Sequence, residues 1–377
     1  MAFAISSTYM RISLLLVFGS TLVWPPVSAA QDAARDKLVV ETLVRLKRFD
    51  VSANEKLRGS VLRHLATIKE SPKYVEYTEL FAITENIPEL IKLARSNPTD
   101  TLGVDAITAT IRLQGSKILI KHINDGTADA IPLLQALGQS TEAAATELLI
   151  TFYKTKPPSR QILTATALAI SKTIAGQRFL LHQAEVRALP KQITFAVGNA
   201  LYESPVEEIR NRAKQAITLP ATADAKPLPP LVELVSMTGT AVRGQELFFK
   251  KGTCSKCHQV DGKGKEVGPN LTEIGSKLSK QAMFTSILDP SAGVSHNYET
   301  YSVITLGGNV VTGLKISETK LAVIIRTADG IDKTVPQKDI DELIKTDVSL
   351  MPADLQRLLS VPELVDLVAY LRTLTKK

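Results

Sequence analysis

Cysteine is scarce in this chain, with two in 377 residues. Exported proteins that use cysteine structurally tend to carry several disulfides. A disulfide framework is therefore excluded, and an apolar core has to hold the fold. The length leaves room for two or three such cores. No arginine-rich run and no RNA- or DNA-binding motif accompanies the formal charge of +7, so nucleic acid is not an expected partner. With 44% hydrophobic and 22% charged residues and a mean hydropathy of +0.06, the chain is neither disordered nor a multispan membrane protein.

A long apolar run, "ISLLLVFGSTLVW", stands at 12–24. Arg11 precedes it, Pro25 and Pro26 end any helix, and "VSAA" offers small residues for cleavage after Ala29 or Ala30. The run is too short to span a bilayer comfortably. Residues 1–29 thus read as a secretory signal peptide, with no cysteine following to take a lipid anchor. The mature chain is expected to be periplasmic or otherwise exported, without a membrane span.

Residues 31–218 are almost wholly helix-like. "VVETLVRLKRF", "IPELIKLA", "AIPLLQALG" and "ILTATALAISKTI" repeat apolar residues at helical spacing. Turn signals such as "SNPTD", "NDGTAD" and "KPPSR" separate such stretches. "ITATIRLQGSKILIKHI" and "LAISKTIAGQRFLLHQA" echo each other, with Gly115 and Gly176 in corresponding places. Paired helices of this length suggest an α-solenoid of HEAT type. "PATADAKPLPP" at 220–230 is proline-rich and polar, so residues 219–230 are expected to be a linker with little to bury.

Beyond it, in 231–377, the character changes. Short helices are expected at "TAVRGQELFFKKG" and "SKQAMFTSILDP". From Tyr298 the pattern turns to strands, "YETYSVITL", "VVTGLKI", "LAVIIRT" and "IDKTVP", with turns at Gly308-Asn309 and Asp329-Gly330. Helix returns at "PADLQRLL" and at "SVPELVDLVAYLRTL", where Ser360 and Glu363 form a capping box. A small β module, residues 298–346, is therefore inserted between two halves of a helical domain.

The two cysteines lie in "KKGTCSKCHQVDGKGKEVGPNL", as Cys254-Ser-Lys-Cys257-His258. A structural zinc site needs four ligands at set spacing, but there is no second cysteine pair and the remaining histidines are scattered. A thioredoxin-like dithiol needs a βαβ setting, which the flanks do not offer. C-x-x-C-H is the attachment pattern of c-type haem. Two thiols at this spacing each add to a vinyl group on one porphyrin edge, and the next histidine lies under the iron. Pro269, in the "GPNL" that follows, is placed to offer its carbonyl to the imidazole N–H. Met351, in a Met-Pro dipeptide before the terminal helix, offers a thioether as sixth ligand. His296 ranks second for that position, and Met283 reads as a core methionine. Gly244, Phe248 and Tyr370 would let the first and last helices of this domain cross closely.

From about Leu231 to the C-terminus the chain resembles the Pirellula/Verrucomicrobium-type haem-binding cytochrome c domain. "RGQELFFKKGTCSKCHQVDGKGKEVGPNLTEIG", "SILDPSAGVSHNYETYSVITLGGNVVTGLKISE" and "VSLMPADLQRLLSVPELVDLVAYLRTL" carry the resemblance. It implies Cys254 and Cys257 as thioether anchors of one covalent haem c, His258 as proximal ligand and Met351 as distal ligand. A β insertion before the Met-Pro belongs to the same pattern, and the helical region resembles the degenerate HEAT region that often precedes this domain. No trace of the β-propeller dehydrogenase of larger members is present.

The expected fold is mainly α: a HEAT-like solenoid, then a cytochrome c domain with an inserted β module. The expected function is single-electron carriage by an exported mono-haem cytochrome, more an electron carrier than a catalyst. The partner would be a protein, a dehydrogenase or oxidase subunit. Residues 241–280 hold eight Lys or Arg against four Asp or Glu, a balance that fits a solvated face and equally the steering of an acidic partner toward the site. Two other functions fit the same residues: an open-site haem enzyme or gas or peroxide sensor, and a helical scaffold with an accessory haem.

Overall fold

The computed structural model describes residues 27–124, 130–155, 157 and 159–376. Positions 1–26, most of the expected signal peptide, and 125–129, most of the expected turn "NDGTAD", lie outside the described residues. The chain is mainly helical with a small five-stranded sheet in its C-terminal part. It divides into two compact units, one up to Ala82 and one from Ile83 onward. No described helix is long and apolar enough to cross a membrane.

In the first unit α1 (Val27–Arg45), α2 (Glu55–Thr67) and α3 (Pro72–Leu80) bury Val40, Val61, Leu65 and Tyr74. The Asn54 side chain accepts the Leu57 N–H at 3.1 Å, and Ser71 accepts that of Tyr74 at 3.2 Å. These bonds take up donors that a helix start leaves free. Arg63 forks onto Asp36 at 2.7 and 2.8 Å, holding its carboxyl below the usual range.

The second unit opens with α4 (Ile87–Ser96), α5 (Thr101–Arg112), α6 (Ser116–Asn124), α7 (Ala130–Gln139), α8 (Ala143–Lys154), α9 (Arg160–Ile170), α10 (Ile174–Glu185), α11 (Thr194–Tyr202) and α12 (Glu207–Ala216). Helix α4 packs on α5, α7 on α9, and α11 on α12. Their apolar stripes close fully over Leu90, Ile107, Leu134, Ile170 and Leu201. Gly115 and Gly176 each lie against a carbonyl of the preceding helix, Thr110 O and Ile170 O.

Residues 219–230 are not a loose tether. Leu219 and Leu228 are buried in the same core as Phe248 and Leu364. Ala223 N–H donates to Leu359 O at 3.0 Å, and Leu231 N–H donates to Asn199 Oδ1 at 2.7 Å. The composition of the stretch is linker-like on average, yet two leucines in it are enough to seat it. The second unit therefore runs without a break from the later helices into the segment bearing the cysteines.

That segment contains α13 (Leu231–Ser236), α14 (Ala241–Phe249), the hairpin β1 (Gln259–Val260) and β2 (Lys263–Gly264), α15 (Ile274–Lys277) and α16 (Lys280–Leu288). The sheet follows as β3 (Thr300–Thr305), β4 (Val310–Glu318), β5 (Ala322–Arg326), β6 (Asp332–Pro336) and β7 (Ile340–Lys345). It is antiparallel, in the order β6-β5-β4-β3-β7. Val303 pairs with Val311 on one side and Leu343 on the other, and packs with Val323, Ile325 and Val335 into a small separate core. Strand β7 was not among the expected strands. Its sequence "IDELIK" is short and acidic, and its pairing with β3 determines its conformation. The expected helix at "PADLQRLL" is only a 3-10 turn, Leu355–Leu358, since little chain lies between Pro352 and the start of α17 (Val361–Thr373).

Helices α14 and α17 cross in close contact. A Cβ on Gly244 would stand 1.9 Å from Asp366 O, and the Phe248 and Tyr370 rings meet edge-on at 5.8 Å. Asp366, itself buried, accepts from Thr240 N–H at 2.6 Å and pairs with Arg243 at 3.0 Å. Gly244→Ala is expected to force the helices apart and cost about 1–3 kcal/mol or more, read as a lowered urea midpoint; an unchanged midpoint would contradict this packing.

The expected capping box is present: Ser360 N–H donates to Glu363 Oε2 at 2.8 Å, and Lys251 Nζ reaches both Glu363 oxygens at 2.6 and 2.7 Å. Burial opposes ionisation, but Lys251 and the Ser360 donors hold the Glu363 carboxyl below its ordinary value. A carboxyl lowered on folding adds stability above its unfolded pKa and loses it as pH falls through the folded one. Glu363→Gln should therefore lower the melting temperature at neutral pH and converge with the unaltered protein in acid. A constant gap at all pH values would contradict this.

Candidate functional site

The two cysteines lie on a turn between α14 and β1. Thr253 takes a left-handed conformation, φ +57°, and Cys254–Lys256 form a single 3-10 turn. His258 N–H donates to Cys254 O at 2.9 Å. The chain then folds back, with Val267 and Gly268 both donating to Cys257 O, at 2.9 and 2.7 Å, and Leu271 donating to Gln259 O at 2.9 Å. This return brings Pro269 under the imidazole, where its carbonyl lies 2.8 Å from His258 Nδ1.

A carbonyl oxygen only accepts, so Nδ1 carries the proton and Nε2 keeps its lone pair. Burial holds the His258 pKa below its usual value, with the Pro269 carbonyl pulling the other way. Gly268 makes the approach possible. A Cβ there would lie 2.6 Å from the ring at Cε1.

Both thiols are free. Burial pushes Cys254 up to about 12. It also raises Cys257, helped by Asp329 and opposed by Lys265 and Lys256. At neutral pH these are protonated thiols rather than activated thiolates.

Cys254, Cys257 and His258 open onto a cavity of about 590 Å³, within the range that small-molecule pockets occupy. Met351 and Pro352 line it from the segment before α17, as do Leu367 and Leu371 from α17 itself. Pro269, whose carbonyl holds the ring, lines it too. Among the described residues the charged groups in the lining are Lys256, Lys265 and Asp329. The rest is mainly aliphatic.

Met283, expected to be a core residue, is buried at 2% and also lines the cavity. It thus places a second thioether there. His296, the second choice for the sixth position, is absent from the lining. Its side chain is 88% exposed and lies 3.7 Å from Glu299, turned to solvent although Ser295 and Tyr298 beside it line the cavity.

The β module contributes wall residues that sequence reasoning missed. Leu314, Ala328 and Asp329 line the cavity, with Tyr298 at the module's entrance. The β5–β6 turn is tied down beside the motif: Lys265 Nζ donates to Asp329 O and Arg326 Nη1 to Glu266 O, both at 3.2 Å. The Asp-Gly turn signal explains the turn's shape but says nothing of its neighbours.

The cavity fits a flat apolar macrocycle with a central iron. It offers one neutral imidazole with a free Nε2, two neutral thiols on the same turn, two thioether sulfurs, and no cluster of His, Cys, Asp and Glu suited to a bare metal ion among the described residues.

Residues 241–303 match the cytochrome c family. The match runs from α14 into β3, includes Cys254, Cys257, His258 and Pro269, and supports a haem-binding domain of the cytochrome c type in this part of the chain. No curated protein matches the chain.

Without haem, both thiols should alkylate more slowly at pH 7 than in denaturant, Cys254 more so than Cys257, with rates rising toward high pH. Fast, equal alkylation of the two at pH 7 would contradict the burial described here.

Proposed function

We propose that the protein is an exported mono-haem c-type cytochrome that carries single electrons between redox partners. The observation that carries this is the convergence of Cys254, Cys257, His258 and Met351 on one cavity, with His258 Nδ1 already engaged by Pro269. Each thiol would form one thioether, its S–H adding across a vinyl group. His258 Nε2 and the Met351 sulfur would hold the iron. When bound, the haem supplies a one-electron ferrous–ferric couple; the protein would set its potential through His258, Met351, the Pro269 carbonyl and burial. With His258 and Met351 both holding the iron, electron transfer would be favoured over chemistry on a bound substrate.

The signal-like residues 1–29 support export to the periplasm, the compartment in which this reading places the chain. Lys256 and Lys265 at the cavity support an acidic partner surface, a dehydrogenase or oxidase subunit, whose encounter salt would slow. The paired helices of residues 31–218 are read as a HEAT-like solenoid that holds this partner.

The sixth position is tested spectroscopically. The ferric protein should show the weak charge-transfer band of sulfur-ligated iron, and the ferrous protein should resist carbon monoxide. Met351→Ala should abolish the band and admit carbon monoxide stoichiometrically. A band that persists in Met351→Ala would transfer the role to Met283, and rapid carbon monoxide uptake by the unaltered protein would make the site an open one.

A further inference from the structure

The electron-carrier reading leaves one buried ion pair without a task. Arg160 opens α9, and its guanidinium pairs with the carboxylate of Asp289, the residue that ends α16. Their side chains are 19% and 4% exposed. The pair is only half satisfied, because Arg160 Nε and Asp289 Oδ2 are buried with no hydrogen-bond partner among the described residues. Burial also raises the Asp289 carboxyl against the pull of Arg160. Such a pair is a poor source of net stability, so its role is better sought in what it holds in place.

Asp289 stands where the chain leaves α16 for the sheet. Asp347 stands where the chain returns from β7, and Arg160 N–H donates to Asp347 Oδ2 at 3.3 Å. One residue of the helical stretch therefore touches both chain segments at the neck of the β insertion. The neck is also closed across itself, since Ser349 N–H donates to Ser291 Oγ at 3.0 Å. Two residues on, Met351 N–H donates to Ser349 Oγ at 3.2 Å. Pro290, beside Asp289, and Ser349 both line the cavity. The segment from Thr346 to Asp354 contains no helix or strand, so its course depends on these tethers.

We propose that Arg160 is a positioning residue for Met351: by clamping the neck of the insertion, the N-terminus of α9 fixes where the methionine sulfur enters the cavity. The inference rests on the reading of Met351 as an iron ligand. It gives the helical stretch a role in the metal's coordination that is separate from holding a partner. A loosened neck raises the fraction of molecules with Met351 withdrawn, and an external ligand's apparent affinity rises in proportion to that fraction.

The test uses the full-length ferric haem protein, imidazole as probe, and amide hydrogen exchange in both haem-bound and haem-free chains. Arg160→Met is expected to raise imidazole affinity about tenfold, weaken the sulfur–iron band, and speed exchange at the Ser349 and Met351 amides. Arg160→Lys, which keeps the charge, should restore most of each signal, and Asp347→Ala should shift them in the same direction by less. Should Arg160→Met not fold, Asp347→Ala carries the same test through exchange at Ser349. Unchanged affinity, band and exchange in the folded variants overturn the proposal. Met351→Ala separates the two claims. If it leaves band and imidazole affinity unaltered, the ligand reading falls and the proposal with it. If it abolishes the band while the Arg160 and Asp347 variants change nothing, the positioning role alone falls.

Discussion

The Nδ1 proton of His258 goes to the Pro269 carbonyl at 2.8 Å, and that bond assigns different tasks to the two ring nitrogens. One is committed to the backbone, and the other keeps its lone pair. The return of the chain from β2 through Gly268 exists to make this approach, because any side chain at 268 would strike the ring. Around it the local rules are consistent. Burial keeps the imidazole neutral and both thiols protonated, states suited to metal ligation and to addition rather than to acid–base or thiolate catalysis.

Larger features serve the same geometry. The glycine contact at Gly244 lets α14 and α17 meet, which sets the floor of the cavity through Phe248, Leu367 and Leu371. Leu219 and Leu228 fasten the stretch before α13 into that floor. The sheet packs around its own four-residue core while its β5–β6 turn contributes Ala328 and Asp329 to the cavity wall. The insertion thus forms part of the cavity wall.

Much of this was legible in the sequence because the signals are local. The cysteine motif fixes its own spacing, "GPNL" announces the return loop, Ser360 and Glu363 announce α17, and the helical periodicity of residues 31–218 has no competing reading. What stayed hidden depends on partners distant in sequence. Strand β7 is defined by its pairing with β3. Leu219 and Leu228 are buried by a core that the proline-rich composition does not reveal. Met283 reads as a core residue from its helix, and only the fold shows that this part of the core borders the cavity. His296 looked usable by residue type, but it is carried on an exposed turn.

The central claim is that a single porphyrin joins Cys254 to Cys257. Trypsin cleavage after Lys256 separates the two cysteines into different peptides, "GTCSK" and "CHQVDGK". In protein matured with haem, mass spectrometry of the digest should find these two peptides linked as one haem-bearing species that absorbs visible light. Recovery of both as separate peptides with free, alkylatable thiols would contradict the account.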